Sequence, residues 1–248
     1  MESITLRGAG KAKLENKVPD GPNIRKANDF LKELVAGCIK YSETFMKTVH
    51  EPPFAYREKQ STGMLAYALS KFADTFQTEC PMQKKLASGK KEIFGWADFW
   101  AHYRNTDFFI ELKQSYFYLH SNVVTQELST ECQRVNEQIK SFNNKNLTGY
   151  CISNSAVSIP LLILPVYLKI KQDTTYKDVM KGFDIDAAYK KIKTELSPNS
   201  PSWGYVWKIK PELAEMTCFE NENGMTTYLP ALIFLARIEK LPIKTNLK

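Results

Sequence analysis

Apolar positions along the first third of the chain recur at helical spacing. Leu31, Leu34, Val35, Cys38, Ile39 and Phe45 predict a helix that starts at Ile24 and stops before Pro52. Met64, Leu65, Ala68, Leu69 and Phe72 predict a second helix over about 56–76. Over 92–119, EIFGWADFWAHYRNTDFFIELKQSYFYL, the pattern changes to aromatic-rich apolar runs interrupted at Arg104-Asn105-Thr106-Asp107, which predicts two strands and a turn. Ser121 or Asn122 can cap a third helix reaching Phe142, with Val124, Leu128, Val135 and Ile139 as a thin apolar face and Asn143 to Asn146 as its end. Residues 158–169 are apolar on both faces and read as a buried central strand, although Pro160 and Pro165 each remove a ladder donor. A fourth helical stretch over 175–196 breaks at Gly182, and Asp184 can start its second half. After a Ser/Pro loop at 197–202 come two strands, 203–209 and 228–239, with a turn signal at Asn221 to Gly224. The order α-α-β-β-α-β-α-β-β predicts an α/β domain over 24–248, a mixed central sheet flanked by helices with a helical N-terminal addition. Residues 1–23, with their glycines, lysines and Pro-Asp-Gly-Pro, read as a flexible arm.

The strand pair brings chemistry together. If its turn centres on Asn105-Thr106, Asp98 lies opposite Lys113 and Trp100 opposite Glu111. Asp98, Glu111 and Lys113 then project from one face, because side chains alternate with period two. Charged groups on an apolar face call for partners. Two carboxylates suit a hard divalent cation such as Mg2+, which keeps several waters and is completed by substrate phosphates. The lysine can orient a water or stabilise charge on a phosphate oxygen. Together these residues form a kit for metal-assisted phosphodiester hydrolysis. A plainer reading is a charged network on the wet face of a hairpin, although Phe109 and Phe117 share the Glu111 face.

Asp98 followed on the next strand by Glu111-Leu112-Lys113 resembles the Asp…(Asp/Glu)-x-Lys signature of the restriction-endonuclease-like, or PD-(D/E)xK, nuclease superfamily. The proline that often precedes the aspartate is absent, the chain having Trp96-Ala97-Asp98. The resemblance implies a metal-dependent nuclease acting on DNA, a type II restriction endonuclease being one form. Asp98 and Glu111 would bind Mg2+, for which Mn2+ can substitute, with the Leu112 carbonyl joining, and Lys113 would serve the attacking water. It also implies an acidic residue on the preceding helix. Glu58 is the candidate, although a carboxylate in a first helical turn is favoured by the helix dipole in any case. Gln114, just after the motif, is a second-tier nucleic-acid contact. The alternative implied by the same fold is an inactive nucleic-acid-binding or assembly module.

Composition adds less. A net charge of +7 favours an anionic partner such as DNA, or simply a lysine-rich surface. Lys84, Lys85, Lys90 and Lys91 cluster just before the strand pair, where a phosphate backbone would pass. Phe94, Trp96, Phe99 and Trp100 could stack on bases, but strand aromatics ordinarily fill a core. Five scattered cysteines without CxxC or Cys/His clusters indicate reduced thiols in a cytoplasmic protein, with neither a zinc site nor a disulfide framework. No signal core or membrane-spanning run is seen, and no phosphate-binding loop or nucleophile elbow. Cleavage of both strands of a duplex would favour a homodimer.

Overall fold

The computed structural model describes residues 1–6, 8–18, 21–85, 92–140, 151–171, 174–196, 201–220 and 224–241, and the backbone alone at 22, 23, 82–85 and 92–94. The expected end of the third helix at 143–146 and the turn residues 221–223 lie outside this set, as do 197–200 of the Ser/Pro loop. The fold is α/β, with a mixed, largely antiparallel sheet flanked by helices.

Two helices come first in the core. α1 (Pro22–Val49) and α2 (Glu58–Phe72) cover one sheet face. They pack closely where Gly37 crosses Ala68, since a Cβ at Gly37 would come within 2.8 Å of the Ala68 methyl. The predicted stripe of α1 is buried from Leu31 to Ile39, with Phe45 only half-buried, and Phe30 stacks on Phe108 with ring centroids 4.0 Å apart.

Strands β3 (Thr75–Lys85), β4 (Glu92–His102) and β5 (Asp107–Gln114) follow, then β6 (Phe117–Tyr118) and α3 (Gln126–Lys140). The Thr125 hydroxyl accepts from Leu128 N–H, so α3 begins a turn later than Ser121 or Asn122 would start it. The buried central strand is β7 (Ala156–Lys171), which runs parallel to β5 and β6. It tolerates its prolines because both fall at breaks in neighbouring strands. The Pro160 carbonyl accepts from Arg237 N–H, in the gap between β10 (Met225–Ala236) and β11 (Glu239–Leu241). Ile163 and Tyr167 accept from Ser115 and Leu119, so Pro165 between them faces the gap between β5 and β6.

The fourth helical stretch divides as expected into α4 (Tyr176–Met180) and α5 (Ile185–Glu195), capped by Thr175 and Asp184. β8 (Trp203–Ile209), α6 (Pro211–Met216) and β9 (Phe219–Glu220) complete the chain order with β10 and β11. The stretch read as an N-terminal arm contains β1 (Glu2–Leu6) and β2 (Gly10–Asn16), and β2 pairs with β8 along its whole length. β2 alternates buried and exposed residues because Ala12 and Leu14 face the core. The sheet order is β1-β2-β8-β10-β7-β5-β4-β3, with β3 at one edge. Among the described residues no helix is long and apolar enough to cross a membrane.

The β4–β5 register corrects the expected one. Trp100 lies opposite Phe109 and His102 opposite Asp107, not Trp100 opposite Glu111 or Asp98 opposite Lys113. The turn centres on Arg104-Asn105, both at positive φ (47° and 56°), with reciprocal Tyr103–Thr106 hydrogen bonds. A two-residue hairpin turn of this kind needs positive φ at both central positions, which β-branched Thr106 resists. The shift is two residues, so every side chain keeps its face.

Candidate active site

β4 and β5 pair from His102/Asp107 to Phe99/Ile110 and then part. Beyond that point β4 continues with β3 alone, through Trp96↔Pro81 to Glu92↔Lys85, while β5 continues along β7. Asp98 and Glu111 occupy the first positions past the last pair. There a side chain replaces the ladder, and Leu112 N–H donates to Asp98 Oδ2 at 2.6 Å. Glu111 is 1% exposed, on the face it shares with Trp100 and Phe109. The Leu112 carbonyl accepts from Lys113 Nζ at 2.9 Å.

Lys113 Nζ also lies 3.3 and 3.4 Å from the two oxygens of Glu58, the first residue of α2. Four hydrogen bonds fix this helix start. Gln60 reaches back to accept from the backbone N–H of Tyr56 and Arg57. Ser61 Oγ donates to Gln114 Oε1 at 2.6 Å, and Gln114 Nε2 donates to the Phe54 carbonyl at 3.0 Å. Gln114 thus sits as a strut between β5 and the entry to α2. Tyr116, its phenol kept neutral by burial, donates to the Tyr56 carbonyl.

The structure therefore joins Asp98 to Leu112 and Lys113 to Glu58 across three elements, with Glu111 next to Leu112 on β5. Lys84 and Lys85 end β3, and only their backbone is described; Lys90 and Lys91 lie outside the described residues. The donor set is oxygen throughout. Mg2+ takes one or two carboxylates and fills its remaining positions with water and phosphate. Asp98 and Glu111, with the Leu112 carbonyl next to Glu111 in sequence, fit that requirement. Among the described residues, no three His, Cys, Asp or Glu side chains gather as a ready-made metal cage.

One polar cluster was not readable in the chain. Asp107, fully buried, accepts from His102 Nδ1–H at 2.9 Å on one oxygen, and from Ser153 N–H and Oγ–H at 2.9 Å each on the other. Asp107 was visible only as a turn residue, and nothing in the sequence ties it to Ser153. The thiols offer no nucleophile. Burial pushes Cys80 and Cys132 up to about 11, and burial with the nearby Asp107 charge pushes Cys151 up to about 12. Comparison of the chain with protein-family models, with curated proteins and with solved structures returns no match.

Proposed function

We propose that this protein is a metal-dependent nuclease that hydrolyses DNA phosphodiester bonds, on a restriction-endonuclease-like core. One observation carries the reading: where β4 leaves β5, Asp98 accepts from Leu112 N–H and Lys113 rests on Glu58, with Glu111 beside Leu112 on β5. The order α2-β3-β4-β5-β6-α3-β7, with β7 parallel to β5, supports the fold assignment.

Asp98 and Glu111, with the Leu112 carbonyl, would hold Mg2+, which when bound supplies charge neutralisation at the scissile phosphate and a more acidic water. Lys113 positions that water and offsets charge developing on phosphate oxygen. Glu58 holds the ammonium in place through its two oxygens. The basic surplus of the chain favours the approach of a polyanion.

A second reading, a non-catalytic nucleic-acid-binding module, is favoured by the mutual satisfaction of the cluster. Asp98 already caps Leu112 N–H, and Lys113 already sits on Glu58. Cleavage of supercoiled plasmid and of single-stranded DNA in Mg2+ or Mn2+ separates the two. Wild type should cut only with metal, and Lys113→Ala and Asp98→Ala should each lose on the order of 10²–10⁴-fold in rate. Discrete fragments would indicate a restriction activity. Cutting of both strands would call for a symmetric dimer, detectable by sedimentation. A wild-type protein that binds DNA with a steep salt dependence and cuts neither substrate would establish the binding module instead.

A further inference from the structure

We infer that Trp96 is a stacking platform for an unpaired base beside the candidate active site, and that the substrate is therefore single-stranded nucleic acid. The inference rests on the nucleic-acid part of the function proposed above and names its substrate class.

The chain has four tryptophans. Trp203 and Trp207 are fully buried and Trp100 nearly so, whereas Trp96 is 60% exposed. Its position explains the exposure. Trp96 lies two residues before Asp98 on β4, about 7 Å along the strand. At that point β4 has already parted from β5, and its partner is Pro81 of the edge strand. The ring thus stands beside Asp98 without the packing a hairpin partner would supply. A second ring flanks the other acidic element: Tyr56, 47% exposed, lies two residues before Glu58, with its carbonyl held by Tyr116.

A scattered exposed aromatic would need no explanation. Here each of the two acidic residues that reach Lys113 or Leu112, Glu58 and Asp98, has an exposed ring two residues before it in sequence. Base–aromatic stacking is sequence-tolerant because every base offers a flat face, and it is open only to bases outside a duplex stack.

The test uses an oligothymidylate strand of about twenty nucleotides, ample for one stacking site, and a blunt duplex of the same length. Binding is followed in EDTA by tryptophan fluorescence and by anisotropy of the labelled strand. The other three indoles are buried, so quenching by the bound strand reports Trp96. Wild type should be quenched. Trp96→Ala should weaken the single strand at least about tenfold and Trp96→Phe less than about threefold, with duplex affinity changed less than about twofold. Tenfold tighter binding of duplex than of single strand by wild type would overturn the inference, as would equal single-strand binding by Trp96→Ala and wild type. A change in self-association on sedimentation without a change in strand binding would do the same, by assigning the ring to a second copy of the chain. Trp96-dependent strand binding in a protein that cuts no DNA sustains this inference while removing the nuclease; cleavage that needs Asp98 but ignores Trp96 does the reverse.

Discussion

At the closed end of the β4–β5 hairpin, Asp107 is fully buried and accepts three hydrogen bonds, shared over both its oxygens by His102 and Ser153. At the open end, Asp98 is half-buried and accepts one, from Leu112 N–H on Oδ2, and its Oδ1 has no hydrogen bond among the described residues. A carboxylate can be taken out of water only when its lone pairs are met. Asp107 meets that condition from the protein alone and ties the start of β5 to the segment entering β7. Asp98 keeps acceptor capacity at a place where two strands separate, on Leu112, which Glu111 and Lys113 flank in sequence. Both are aspartates on one hairpin; the difference lies in the donors around each.

That contrast can be broken by a crossed pair of substitutions. Asp107→Ala would leave His102 Nδ1–H and Ser153 N–H buried without their acceptor, and should cost about 3–5 kcal/mol in chemical denaturation. Asp98→Ala should cost about 1 kcal/mol, the worth of one hydrogen bond, yet remove metal-dependent cleavage. If Asp107→Ala left stability unchanged and abolished cleavage, the structural and functional roles would have to be exchanged.

The helices and most main strands were legible because each carries its own period; β3 was not, its first two residues having been read into the second helix, which in fact ends at Phe72. The break at Gly182 and the cap at Asp184 came from local chemistry that acts within a few residues. The site was legible in part for the same reason: alternation placed Asp98, Glu111 and Lys113 on one face even though the assumed turn was two residues off. The contact of Glu58 with Lys113 was only a condition to be met, since it depends on how α2 docks. Apart from β3, which pairs with its sequence neighbour β4, what was missed depends on distant partners. β1 and β2 are short, polar on one side and rich in lysine, and become strands by pairing with β8 near the other end of the chain. The Asp107–Ser153 contact spans 46 residues. Trp96 and Trp100 look alike in sequence, and only the parting of β4 from β5 exposes one and buries the other.

Gln114 sharpens the contrast from the side of α2. Its carboxamide joins Ser61 to the Phe54 carbonyl, so it belongs with the structural group, yet it sits beside Lys113. Gln114→Ala should cost about 1–2 kcal/mol, because it leaves those two groups without their partner. It should also loosen the start of α2 and with it the alignment of Glu58 on Lys113, lowering the cleavage rate about tenfold to a hundredfold with little change in DNA affinity. Equal loss of affinity and rate would instead make Gln114 a direct contact to nucleic acid.

Glu15 extends the rule to the far side of the sheet with the smallest effect. Burial alone would raise its pKa, but hydrogen bonds from Tyr189 at 2.8 Å, and from Lys17 and Lys193 at 3.1 Å each, outweigh it and hold the carboxyl at about 2. The folded pKa is below the unfolded one, so the stabilisation is present above about 4.5, the ordinary glutamate value, and is lost as pH falls toward 2. Glu15→Gln should therefore lower stability at neutral pH by about 1 kcal/mol, allowing for the solvent exposure of Lys17. That is a shift of about 2–4 °C in Tm for a chain of this size. The gap between wild type and variant should close between pH 4.5 and 2. Asp186, held low between Lys13 and Lys208 against its burial, titrates in the same direction, so the difference between the two proteins and not the wild-type curve is the quantity to follow. A gap that persists at pH 2 would mean that Tyr189 and the lysines hold Glu15 by shape and neutral hydrogen bonding, and that saturation with donors does not by itself mark a carboxylate kept ionised for structure.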